Sequence, residues 1–379
     1  MTISVIARIE VSTYRVPITT PVMTSFGAMA NRPAVFVRLI DSDGAFGWGE
    51  IFANWPAAGA EHRARLLMED IADLVIGFQA ETASDLFHHL MTKTHIRALQ
   101  CGEWGPFAQV IAGLDTALHD LFARRDGVSL ARHLNREAAT SVPAYASGIH
   151  IGAASTMVPM VRKLGYQAMK VKIGFDAGAD IKLLRDLCAT RPQGERLFTD
   201  ANQAWTLEEA LAFVDRAGEL GLDWLEEPIR ADMPGEQWTE LAKASCIPLA
   251  AGENITGFDS FDTAIASGNF GFIQPDVAKW GGVTGCYRIG KAILAGSRTY
   301  CPHFLGGGIG LIASGHLLAA AGGNGLLEVD VNANPLRDAF FPEGMCKGGR
   351  FELSDAPGMG FEALPESLLQ YRTLDLVRS

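Results

Sequence analysis

Residues 165–174 read GYQAMKVKIG, an apolar, strand-like run that carries two lysines. In a β-strand, positions i and i+2 share a face. Lys170 and Lys172 therefore point one way, and Met169, Val171 and Ile173 the other. Two ammonium groups side by side repel each other, so a strand covered on both sides needs a reason to hold them.

The runs downstream supply a context. RLFTD (196–200), LDWLEEP (222–228), IPLAAGE (247–253), FGFIQPD (270–276), TYCPH (299–303) and GLLEVD (325–330) alternate with helical stretches, and SVPAYASG (141–148) precedes them. Short apolar runs alternating with helices are the pattern of βα units on a parallel sheet. Their number suits a compact β/α barrel, with a doubly wound open sheet as the alternative. Upstream, ISVIARIEVSTYRVPI and AVFVRLIDSDGAFGWGE read as strands, and HRARLLMEDIADLVIG and FAQVIAGLDTALHDLFARRDG as helices. Strands first and helices after predict a separate α+β unit over residues 1–125. The barrel is expected over 126–331, and the Gly- and Pro-rich segment 332–379 leaves it.

Almost every barrel run ends in an ionisable group: Lys172, Asp200, Glu226, Glu253, Asp276, His303 and Glu328. They are spaced 23 to 28 residues apart, about one βα unit. Groups at the C-terminal ends of consecutive barrel strands converge on one mouth, where such barrels keep their active sites. Scattered surface charge shows no such regularity. Asp200, Glu226 and Glu253 lie on adjacent strands, and three close carboxylates need a counter-charge. An oxygen-only set without nearby Cys or His points to Mg²⁺ or Mn²⁺; a salt-bridged cluster with the two lysines is the bland alternative. Neighbouring strand residues face opposite ways, so Glu226 and Glu227 are not expected to ligate together, and parity alone does not choose between them. Asp276 lies one unit before His303. A carboxylate on one imidazole nitrogen fixes the tautomer and makes the other nitrogen a better base. Lys172 is the second candidate base, with Lys170 as the like charge that depresses it.

Bulk properties narrow the classes. The 379 residues suit roughly two domains. A formal net charge of −11 argues against a nucleic-acid or anionic-membrane surface. Six scattered cysteines without a Cys-x-x-Cys pair fit free thiols in a reducing cytoplasm. No signal peptide or membrane-length apolar run is visible.

In this order and spacing, KVK, TDANQAW, WLEEP, GEN, PDVAKWGG and PHF resemble the enolase superfamily, and more narrowly its mandelate racemase subgroup. GLDTALHDL and APGMGFE extend the resemblance over nearly the whole chain. It implies an α/β protein: a modified TIM barrel, (β/α)7β, capped by an α+β domain to which the C-terminal segment returns. It implies Mg²⁺ on Asp200, Glu226 and Glu253, and bases at Lys172 and at His303 backed by Asp276. It also implies charge stabilisation by Lys170 and protonated Glu328, and a substrate contact at Asn202. Lys279, three residues past Asp276, is expected to face elsewhere.

The implied chemistry is removal of the α-proton of a small carboxylate to give a metal-stabilised enediolate. Dehydration of a hydroxy or sugar acid is the leading expectation. Racemisation or epimerisation is the alternative, and a non-catalytic binding module the remote one. Substrate choice is expected in the cap loop 19–33, TTPVMTSFGAMANRP, through Ser25, Phe26 and Arg32. The loop offers few polar partners for a polyol, which keeps a partly apolar carboxylate open. A cytoplasmic homo-oligomer is expected.

Overall fold

The computed structural model describes residues 3–24 and 27–379. Ser4–Thr24 (β1) and Gly27–Asp41 (β2) form one long antiparallel hairpin, joined by Phe46–Ile51 (β3). Residues 19–24 and 27–33 of the expected loop thus belong to the two hairpin strands, with Val22 opposite Met29. Alternation along β2 divides its side chains. Val35, Val37 and Leu39 enter the cap's own core, while Ala34 and Phe36 join the core shared with the barrel. The sheet is therefore covered on both faces.

Two helices, α1 (Asp85–Cys101) and α2 (Trp104–Arg125), pack on this sheet. Gly47 and Gly49 on β3 let α2 come close: a Cβ at either would run into the Ala117 or Gly113 carbonyl oxygen. At the barrel side, Asp115 of α2 accepts from the Thr284 backbone N–H (2.8 Å) and hydroxyl (2.6 Å). Thr284 lies in barrel helix α3 (Gly282–Ala295). The GLDTALHDL run is thus a docking surface between cap and barrel.

The barrel has eight strands: Ser141–His150 (β4), Ala168–Lys172 (β5), Arg196–Asp200 (β6), Trp224–Glu226 (β7), Leu249–Ala251 (β8), Phe272–Ile273 (β9), Thr299–Tyr300 (β10) and Leu327–Asp330 (β11). Each ladder between them is parallel, and β11 returns to pair with β4. The first strand starts at Ser141, as the SVPAYASG run predicts. Residues between α2 and β4 dock on helix α4 (Gly308–Ala321), where the Ala131 N–H donates to His316 Nδ1. Register aligns His150, Lys172, Asp200 and Glu226 in one row. Below them Tyr145, Phe198, Trp224 and Phe272 fill the bore, so the charged groups sit on an apolar floor.

The C-terminal segment first adds Arg350–Glu352 (β12) antiparallel to the start of β4. It then crosses to the cap, where Arg372–Arg378 (β13) pairs with β1. Among the described residues no helix is long and apolar enough to cross a membrane.

Candidate active site

The alternation expected for β5 holds. Met169, Val171 and Ile173 pack outward among the barrel helices, while Lys170 and Lys172 point into the bore. Lys170 Nζ lies 2.7 Å from Glu226 and 2.8 Å from Glu328, with Asp200 at 3.7 Å. Burial works against its charge, but Glu226 and Glu328 outweigh it and hold the ammonium protonated. Lys170 is thus compensated on three sides by carboxylates. Lys172 Nζ donates to Asn202 Oδ1 (2.8 Å), with Asp200 at 3.9 Å. Asn202 in turn donates its side-chain amide to Asp200 (3.0 Å).

Across the bore, His303 Nδ1 is 2.7 Å from Asp276 Oδ2, and its Nε2 is 2.6 Å from Glu253. Asp276 and His303 form a bridge between neighbouring strand ends, which sets the ring beside the carboxylate. Burial disfavours the imidazolium, but Glu253 and Glu328 reverse this and raise its pKa well above the usual range. Glu328 lies two residues before the end of β11, in register with Tyr145, so it lies lower than the strand-end groups. It accepts from the Ser147 hydroxyl (2.5 Å). Burial raises its pKa, yet Lys170 and His303 bring it down to about 2. Both cations thus favour its ionised form.

Three expectations change. The strand parity applied to Glu226 and Glu227 fails because β7 stops at Glu226. Glu227 takes φ +39°, a left-handed conformation rare outside glycine, and leaves the alternation. Both side chains end up buried on the carboxylate side, with Glu227 bonded to Asn254 (2.9 and 3.0 Å). Lys279 does not face elsewhere. The Asp276 carboxylate caps the N–H groups of Ala278 and Lys279, and the turn brings Lys279 Nζ to 2.8 Å from Asn254 and 3.6 Å from Glu253. Arg32 is buried against Asp330 (2.8 Å) and does not line the central cavity. Ser25 and Phe26 lie outside the described residues.

The central cavity holds about 540 Å³. Lys170, Lys172, Asp200, Asn202, Glu253, Lys279, His303 and Glu328 line its floor, and Val22, Met29, Phe52, Asn54, Trp55 and Gln109 of the cap its roof. Glu226 and Asp276 stand behind this floor. The donor set suits a hard divalent cation. Six carboxylates (Asp200, Glu226, Glu227, Glu253, Asp276, Glu328) face only three lysines and one histidine. Burial, with Asp200 and Glu328 adding to it and Lys170 opposing, pushes Glu226 up to about 7. Among the described residues no three such side chains already converge on one point; Glu226 leans to Lys170 and Gln274, and Glu253 to His303.

A parallel barrel with ionisable groups at its strand ends and a lid over its mouth defines an enzyme that works on a small charged substrate. Comparison with known proteins agrees. Residues 8–134 match the mandelate racemase/muconate lactonizing enzyme N-terminal domain, and 153–367 the enolase C-terminal domain-like family. A mandelate racemase/muconate lactonizing enzyme structure from Bordetella bronchiseptica RB50 is 43% identical, covers 98% of this chain and 100% of its own, and superposes with a TM-score of 0.92. Arabinonate dehydratase of Saccharolobus solfataricus is 28% identical over 86% of this chain and 87% of its own. An L-talarate/galactarate dehydratase structure liganded with Mg and L-glucarate is 26% identical, covers 99% of this chain and 94% of its own, with a TM-score of 0.84. The chain belongs to the mandelate racemase/muconate lactonizing enzyme family of the enolase superfamily. It is an enzyme of that superfamily's lyase and isomerase type, whose shared chemistry is Mg-dependent enolisation of a carboxylate.

Proposed function

We propose that this enzyme dehydrates a hydroxy acid of the sugar-acid class, with Lys172 and His303 as its proton-transfer groups. The carrying observation is that the two line one cavity from different strands, each steadied by its own partner, Asn202 or Asp276. Lys172 takes the α-proton, and the electron pair moves onto the substrate carboxylate. Lys170, at the floor of the cavity, faces the charge that develops there. His303 gives its proton to the β-hydroxyl as the Cβ–O bond breaks. Water leaves, and the resulting enol becomes a 2-keto acid. Asp200, Glu226 and Glu253 are the proposed Mg²⁺ ligands. When bound, the ion neutralises charge on the substrate carboxylate. The dehydratases among the relatives support this reading.

Racemisation is the second reading, because two proton-transfer groups in one cavity also permit removal on one side and return on the other. A screen of acid sugars and α-hydroxy acids with Mg²⁺, reading 2-keto acid and optical rotation together, separates the two. Keto acid is the expected product. Loss of rotation without keto acid establishes the second reading instead.

A further inference from the structure

Glu50 ends the GWGE run on cap strand β3, yet its bonds are made to the barrel. Its carboxylate is almost fully buried, at 4% exposure. It accepts from the backbone N–H groups of Gly307 (2.5 Å) and Gly310 (2.8 Å), at the start of α4. The segment so held is the direct continuation of His303. A second cap residue grips it as well: Asn54 donates to the Leu305 carbonyl (2.7 Å). The glycines fit this grip, since a Cβ at Gly306 or Gly307 would lie 2.8 or 2.9 Å from Glu50 Oε1. Lys172, by contrast, is held from within the barrel by Asn202 on the turn after the next strand.

We propose that Glu50 is a positioning residue for His303: the cap, through Glu50 and Asn54, sets the height and orientation of the imidazole while Lys172 is set by the barrel. A buried carboxyl group that accepts from two N–H groups at a helix start fixes both distance and direction. It does so three and six residues past Phe304, whose N–H donates to Glu328 (3.3 Å). One arm of the proton-transfer pair is thereby tied to the placement of the cap.

The inference rests on His303 being a proton-transfer group, but its test needs no turnover and so stands apart from the substrate assignment. The probe is the full-length, Mg²⁺-loaded protein, labelled with ¹⁵N-histidine. Two readouts are taken: the His303 imidazole resonances, assigned by their loss in His303→Asn, and hydrogen exchange of residues 304–310. Glu50→Gln keeps the side-chain shape but turns one acceptor into a donor. It is expected to speed exchange of the 304–310 amides on the order of ten-fold or more and to shift or broaden the His303 signals. Exchange after Lys172, over 173–181, is expected to stay unchanged. Asp115→Asn loosens a different cap-to-barrel contact, the one with Thr284, and is expected to move neither readout. The proposal is overturned if Glu50→Gln leaves the His303 signals unmoved, or if Asp115→Asn moves them equally. Should Glu50→Gln not fold, Asn54→Ala takes its place with the same expected and overturning results.

Discussion

At the scale of single residues, the site is a set of pairs in which each working group has a keeper. Removing a working group should stop the chemistry and leave its surroundings intact. Lys172→Ala and His303→Asn are each expected to abolish turnover while Mg²⁺ still binds, as calorimetric titration of the metal would report. Loss of metal binding in both would overturn the separation of base from ligand. Lys279→Gln tests the group that spacing alone placed wrongly. It removes the cation beside Glu253 and is expected to lower turnover about ten-fold or more, as loss of a charged contact near a reacting centre does; an unchanged rate would make Lys279 a bystander. Away from the site, His316 gives a pH signature. Burial alone lowers its pKa to about 4, and its Nδ1 must stay unprotonated to accept from Ala131. Above the ordinary value near 6.5 the ring is neutral in both folded and unfolded chains. Between 6.5 and about 4 only the unfolded chain takes the proton, so stability falls as pH falls. Between pH 7 and 4.5 the wild type should lose about 2–3 kcal/mol more than His316→Gln, whose amide oxygen still accepts the bond. Urea unfolding of both at the two pH values measures this.

At the scale of elements, what the sequence made legible follows strand length. β5 runs five residues and keeps its period of two, so the orientation of Lys170 and Lys172 could be read directly from GYQAMKVKIG. β7 runs three residues and β9 two. The groups that matter there lie at or beyond the strand end, where turn geometry rather than alternation aims the side chain. Glu227 and Lys279 escaped for that reason. Arg32 escaped for another: its partner Asp330 lies 298 residues away, and no local pattern encodes such a pair. Glu50 was visible only as the last residue of a run that read as strand. The regular spacing of the seven ionisable groups survived because the βα unit itself sets it. The element most sensitive to a single atom is the contact of β3 with α2. Gly49→Ala places a methyl against backbone, which no side-chain rotation relieves. It should cost about 3 kcal/mol or more, read as a lower urea midpoint. Unchanged stability would mean that α2 is free to shift.

At the scale of the whole molecule, two cores are joined along the face where α2 and β2 meet the barrel. The cap sheet takes strands from both sides of the barrel in sequence, since β13 pairs with β1 across Ile9–Arg378 and Tyr14–Arg372. Deleting residues 372–378 exposes the β1 edge and should weaken the cap before the barrel. The expected result is a separate low-temperature step in calorimetry with the far-UV barrel signal retained; a single unchanged transition would contradict it. This pairing also imposes an order of events during synthesis. A ribosome produces β1 first and β13 only after every barrel strand has emerged, so the sheet that roofs the cavity stays a strand short while the barrel is being made. Completing the cap sheet therefore waits on the last residues made and on a contact that spans nearly the whole sequence, of the kind that forms slowly.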